Sequence, residues 1–213
     1  MIPVPCASSK ILASSVTLSC IPRFIHSTIP KVIETAAKEG YPIDKMTVAG
    51  GSAGHALAMI YAYRDGKDAP VPVVFTFGAV GPSCFVAEDW GVFGVGLDSE
   101  ESRAAGAVLF SVMSGQEITP EEMADGSYLS KVHAISAADY VSENPVPTVV
   151  AYGACDKVQP FLASKRLEAA LQESGADYRY FVMEHSGHGL QNDNRIYAAY
   201  MKEVEAYLAK YMG

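Results

Sequence analysis

The stretch that decides the fold is Lys45-Met46-Thr47-Val48-Ala49-Gly50-Gly51-Ser52-Ala53-Gly54, followed by His55-Ala56-Leu57-Ala58-Met59-Ile60-Tyr61-Ala62-Tyr63. Its first part is a short apolar run suited to a buried strand, and its last part is an apolar helical run. Gly-x-Ser-x-Gly between strand and helix is the sequence form of a nucleophile elbow. A turn this sharp holds its serine in strained backbone and crowds the flanking positions, so glycines are expected there. It would lift the Ser52 hydroxyl to the carboxyl end of the strand, where the following helix N-terminus supplies positive potential. The pentapeptide alone also suits a Gly/Ser-rich loop without chemistry, so partners for Ser52 must be found elsewhere in the chain.

Working outward, strands and helices alternate. Val71–Phe77 (VPVVFTF), Thr148–Tyr152 (TVVAY, introduced by Asn144-Pro145-Val146-Pro147) and Tyr178–Met183 (YRYFVM) read as strands. Phe161–Ser174 reads as a helix closed by Gly175, and Arg195–Tyr211 as a final helix with Ile196, Ala199, Tyr200, Val204, Tyr207 and Leu208 at helical spacing. Upstream of the elbow, Pro30–Glu39 reads as a helix ending at Gly40, and Ile11–Leu18 as a further strand. Repeated strand–helix units predict an α/β fold with a mostly parallel sheet covered on both faces.

Residues from about Ser83 to Tyr140 break this alternation. Thr119-Pro120-Glu121-Glu122 is a capping box with proline at the first helical position, so the segment holds helices. Within a single domain spanning 1–213, an insertion at about 83–140 is expected either to overlie the catalytic edge of the sheet as a cap or to form ordinary surface helices.

The 213 residues suffice for one domain with a sizeable core, and 49% hydrophobic with 19% charged residues is a globular composition. A formal charge of −8 argues against nucleic acid or an anionic membrane as partners, since both require a basic face. The four cysteines, Cys6, Cys20, Cys84 and Cys155, have no C-x-x-C spacing and read as free thiols; a Cys6–Cys20 disulfide has no support. Lys10 interrupts the mildly apolar start and no basic region precedes it, so the cytoplasm is the expected location and secretion the less expected one.

A serine hydroxyl becomes a competent nucleophile when a base takes its proton and an acid orients that base. In the α/β-hydrolase arrangement the chain order is serine, acid, histidine. Asp156 follows the Thr148–Tyr152 strand in Gly153-Ala154-Cys155-Asp156; the alternative role is a helix N-cap before Pro160. His188 follows the Tyr178–Met183 strand in His185-Ser186-Gly187-His188-Gly189-Leu190, where glycines let the loop carry the ring back toward the elbow. His185 competes for that role. His55, in the first helical turn after Ser52, points away from a base's position and is expected to shape the substrate pocket together with Gly51. His26 and His133 read as surface residues, and Asp193 as an N-cap of the last helix. No cluster has metal-ligand spacing, and no Gly-Lys-Ser/Thr follows Gly50-Gly51, so neither a metal nor a nucleotide cofactor is expected.

These segments (Gly40–Tyr63, Thr148–Pro160 and His185–Leu190) resemble the α/β-hydrolase esterases related to hormone-sensitive lipase and the feruloyl and acetyl-xylan esterase-like carboxylesterases. The resemblance runs from about Lys31 to the C-terminus. It implies Ser52 as nucleophile, Asp156 as acid, His188 as base and the Ala53 N–H as one oxyanion donor. The chain departs from the family upstream: no His-Gly-Gly occurs, and the first strands of the usual sheet are missing. An N-terminally shortened relative or a fragment is therefore expected, with its open sheet edge covered by the N-terminal segment or by a second copy.

The function expected is a serine carboxylesterase acting on small, short-acyl esters without a cofactor. A catalytically impaired hydrolase-like binding protein, or a serine peptidase of the same fold, are the alternatives.

Overall fold

A computed structural model describes Leu18 and residues 21–213. The expected strand at Ile11–Leu18 and the pair Cys6 and Cys20 therefore lie outside the described residues, apart from Leu18, which sits in a turn. Among the described residues four strands form one parallel sheet in sequence order: β1 (Met46–Gly51), β2 (Val73–Ala79), β3 (Thr148–Gly153) and β4 (Tyr178–Met183). Parallel neighbours require long crossovers, and each intervening segment contains helix. The α-helices among the described residues are α1 (Ile21–Lys38), which precedes β1; α2 (Ala53–Ile60), α3 (Glu100–Ser114), α4 (Pro120–Asp125), α5 (Tyr128–Val132) and α6 (Phe161–Ser174), which lie in the crossovers; and α7 (Asn194–Met212), which follows β4.

Side-chain alternation along β3 divides the core in two. Val150 and Tyr152 face a cluster containing Met59 and Ile60 of α2 and Leu167 and Leu171 of α6. Val149 and Ala151 face the opposite cluster, built on Tyr200, Val204 and Tyr207 of α7. Both faces of β3 are thus covered, and all six of its residues are buried. Helix α7 is further fixed by Asp177 at the entry to β4, whose carboxylate accepts from Lys210 Nζ at 2.7 Å, Tyr207 Oη at 2.5 Å and Tyr211 Oη at 2.6 Å. Lys210, with the two tyrosine hydroxyls, holds the Asp177 carboxyl well below its ordinary range.

Most elements match the sequence reading, and α6 and the Tyr178–Met183 strand match residue for residue. Two differ. Helix α1 starts nine residues earlier than Pro30 and carries that proline inside it, where an N-terminal position was expected. It does stop before Gly40, whose φ of +86° is the left-handed conformation that closes helices. Strand β2 begins at Val73 because Pro72 has no N–H for the ladder; its carbonyl instead accepts from Met46 N.

In the insertion, Thr119 Oγ1 accepts from Glu122 N at 3.3 Å and Glu122 Oε2 accepts from Thr119 N at 2.9 Å, which realises the capping box. Phe85, Trp90, Phe110 and Tyr128 form an aromatic cluster within it, and the Asp89 carboxylate pairs with Arg166 of α6. Strand β1, which leads to Ser52, is an edge strand among the described residues and is only partly buried. Of the N-terminal segment expected to cover it, α1 is described and contacts α2, whereas residues 1–17, 19 and 20 lie outside the described residues.

No helix among the described residues is long and apolar enough to cross a membrane.

Candidate active site

Ser52 leaves β1 with φ 54° and ψ −126°, outside the regions ordinary residues occupy, and α2 starts at the next residue. The reason the turn can close lies at Gly50: a Cβ there would stand 2.3 Å from the Gly54 carbonyl carbon and oxygen. The crowding expected on both sides of Ser52 is therefore one-sided, since a Cβ on Gly51 or Gly54 would meet nothing within 4 Å. Among the described residues the non-glycine positions with positive φ are Ser52, Val80 and Leu190. They follow β1, β2 and β4, so backbone strain gathers at the carboxyl end of the sheet, as it does at functional sites.

Three loops converge there. His188 Nε2 lies 2.9 Å from Ser52 Oγ, and His188 Nδ1 lies 2.8 Å from Asp156 Oδ2. The Asp156 side chain is 1% exposed and that of His188 28%, so the carboxylate is shielded while the imidazole is open to the cavity. Asp156 Oδ1 meanwhile accepts from Val158 N at 2.7 Å and Gln159 N at 2.9 Å. The helix N-cap considered for this aspartate does not form, since α6 begins at Phe161 with Pro160 as its N-cap and no side-chain cap bond; Asp156 Oδ1 instead closes the turn before the helix while Oδ2 faces His188. The loops carrying Asp156 and His188 touch through Gly153, where a Cβ would stand 2.4 Å from the Gly187 carbonyl oxygen.

Ser52 and His188 open onto a cavity of about 290 Å³. Ala53, Leu57, Val80 and Pro82 line it, as do Trp90 and Met113 from the insertion. The 83–140 segment thus contributes cavity wall. Apart from Ala53 in the elbow, these apolar lining residues carried no sequence signal distinguishing them from core. Ala53 belongs to the first turn of α2, where backbone N–H groups lack intrahelical acceptors.

Other candidates fall elsewhere. Gly51 is exposed at the strand end and does not line this cavity. His55, expected at the pocket, is fully buried beneath the elbow, with Gly81 N donating to its Nδ1 at 3.3 Å. Its place in the first helical turn points it inward, against β2, where a Cβ on Gly78 would stand 2.4 Å from its ring. His185 Nδ1 is 2.9 Å from Asp193 Oδ1 and its side chain is 77% exposed. His133, read as a surface residue, has an exposed side chain 3.0 Å from Asp139, and His26 Nδ1 lies 3.4 Å from Tyr61 Oη.

Burial pushes the His55 pKa down to about 3 from 6.5, so the ring stays neutral in the native protein. In the unfolded chain it takes up a proton near pH 6.5, so the unfolded state binds more protons as pH falls. Stability therefore drops below pH 6.5, by roughly 2–3 kcal/mol at pH 4.5 from this group. Urea unfolding midpoints from pH 7 to 4.5 are expected to fall more steeply for the native sequence than for His55→Gln; equal slopes would refute this.

With this geometry in view, sequence comparison gives the family. Residues 105–213, more than half of the chain, match the prolyl oligopeptidase family, Peptidase_S9. The chain belongs to the prolyl oligopeptidase family. The matched span contains Asp156 and His188 but begins after Ser52. No curated protein matches the chain.

Among solved structures, an esterase from the planctomycete Thermogutta terrifontis with butyrate bound aligns with a TM-score of 0.63 at 18% identity, over 92% of this chain and 66% of that one. Pyrococcus horikoshii acylaminoacyl peptidase aligns at 0.63 and 12% identity, over 88% and 27%. A puromycin-hydrolysing peptidase of Mycobacterium tuberculosis aligns at 0.55 and 18% identity, over 84% and 24%. The chain spans about a quarter of these peptidases and just under two thirds of the esterase. At such identities the likeness concerns the fold, which is that of the α/β-hydrolases. The family match is to the prolyl oligopeptidase family, and the comparisons do not single out the hormone-sensitive lipase-like group that the motifs resemble. Elbow, acid loop and histidine loop recur in the same order across the fold, so those motifs do not separate its families.

Proposed function

We propose that the chain hydrolyses small carboxylic esters with short acyl groups through an acyl-enzyme on Ser52. The observation that carries this reading is the unbroken chain from Asp156 Oδ2 to His188 Nδ1 (2.8 Å) and from His188 Nε2 to Ser52 Oγ (2.9 Å) beside an apolar cavity. His188 takes the Ser52 proton as Oγ attacks the ester carbonyl, and the electron pair of the C=O bond moves onto oxygen. The Ala53 amide stabilises that oxyanion, a donor worth about 10²–10³ in turnover where one is removed. The tetrahedral intermediate collapses by breaking the C–O bond to the alcohol, which leaves with the proton from His188. Water then enters and gives a proton to His188 as its oxygen attacks the acyl carbon; the C–Oγ bond breaks, the proton returns from His188 to Ser52 Oγ, and the acid leaves. Asp156 keeps the His188 tautomer and stabilises its imidazolium. A cavity of about 290 Å³ with mostly apolar walls suits a short acyl chain.

Membership of the prolyl oligopeptidase family favours a second reading, cleavage of an acyl–amine bond by the same groups, with His188 protonating an amine instead of an alkoxide. The test compares p-nitrophenyl esters from acetyl to decanoyl with aminoacyl p-nitroanilides, alongside labelling by a fluorophosphonate. Fast cleavage of acetyl to butyryl esters with slow anilide turnover is the expected result. Anilide turnover matching the esters would favour the peptidase, and an unlabelled protein inert to both substrates would favour a hydrolase-like binding role.

A further inference from the structure

We infer that Asp193 is a positioning residue that holds the His188 turn in register with Ser52 and Asp156; this rests on the reading of Ser52, His188 and Asp156 proposed above. Asp193 precedes α7, where an N-cap was expected, yet its side chain makes no cap bond to that helix. Its carboxylate turns back into the loop between β4 and α7. Oδ1 lies 2.9 Å from His185 Nδ1, and Oδ2 accepts from His185 N at 3.0 Å and from Ser186 Oγ at 2.6 Å. The Asp193 side chain is 9% exposed.

Ser186 passes this anchorage on. It is fully buried, its Oγ accepts from Asn192 N at 3.0 Å, and its carbonyl accepts from Cys155 N at 3.0 Å. Cys155 adjoins Asp156. One carboxylate therefore ties the loop carrying the base to the loop carrying the acid. His188 sits just beyond the clip, in the turn closed by Leu190 N donating to the Gly187 carbonyl at 3.1 Å. The flanking glycines that let this loop reach the elbow also leave it without local stiffness. A network of charge-assisted bonds at its root supplies that stiffness. Hydrogen bonds from Ser186 and His185 hold the Asp193 carboxyl below its ordinary pKa, consistent with an ionised acceptor at neutral pH.

A loop released by about 1 Å at a reacting group costs on the order of 10² in rate. Asp193→Ala is expected to lower kcat by about 10–10² with KM within twofold, and Asp193→Asn, which retains one acceptor oxygen, is expected to lose less. In a His188→Ala background Asp193→Ala is expected to add no further loss, because the residue acts through the ring that is gone. The activity-independent readout is the downfield proton resonance of His188 Nδ1–H on Asp156, assigned by its loss in His188→Gln. It is expected to persist in Ser52→Ala and to broaden or move in Asp193→Ala. An unchanged resonance in Asp193→Ala overturns the inference whatever the turnover. A changed resonance in a protein that cleaves neither esters nor anilides overturns the proposed reaction while upholding the positioning role.

Discussion

Ser52→Ala is expected to lower ester turnover by about 10⁴-fold or more and to abolish fluorophosphonate labelling, because the nucleophile, base and acid of a triad act as a unit. Retained turnover within tenfold of wild type would sink the acyl-enzyme mechanism. A sharper consequence follows from backbone geometry. At φ 54° and ψ −126°, Ser52 occupies a region open to glycine but costly, by about 1–3 kcal/mol, for a residue with a Cβ. Ser52→Gly should therefore be as inactive as Ser52→Ala yet more stable than it, with strain relief offset in part by the freer unfolded chain. Thermal unfolding of the two variants checks this. A Ser52→Gly protein melting below Ser52→Ala would mean that the elbow is not strained.

Trp90→Ala is expected to be the most damaging single change in the cavity wall. The indole is fully buried, stacks on Phe85 at 5.3 Å between centroids, meets Phe110 edge-on at 5.5 Å and donates from Nε1 to the Cys84 carbonyl at 3.1 Å. Truncating a buried tryptophan costs about 3–5 kcal/mol, which in a domain of this size lowers Tm by roughly 6–20 °C. Because Trp90 also lines the cavity at Ser52, the variant should shift ester preference toward longer acyl chains. Trp90→Phe keeps the ring stacking and enlarges the cavity less, so it separates the two effects. A preserved acyl-length profile in Trp90→Phe and Trp90→Ala, measured below both melting points, would remove Trp90 as a determinant of chain length.

Local pattern made much of this protein legible. Strand-like runs before Ser52, Asp156 and His188 placed each at the carboxyl end of a strand, and a parallel sheet brings such ends to one edge. The helix ends were readable where capping residues act locally, as at Thr119 and Gly175. Contacts between segments distant in sequence carry no such signature. Trp90 and Met113 look like ordinary core residues, and only the folding of the insertion over the elbow makes them cavity wall. His55 shows the converse: its nearness to Ser52 in sequence suggested contact with substrate, but a helix rotates successive side chains by about 100° and turns it inward.

The α/β class and the strand–turn–helix at Gly50–Gly54 were legible from the residues alone, because they rest on periodicity and turn chemistry. The tertiary structure decided that His188 rather than His185 reaches Ser52, that Asp193 faces back into the base loop, and that the 83–140 insertion helps form the cavity. Each of those depends on where a loop leaving one strand meets a loop leaving another, and the distance between two such loops is set by the packed sheet, not by the residues within either.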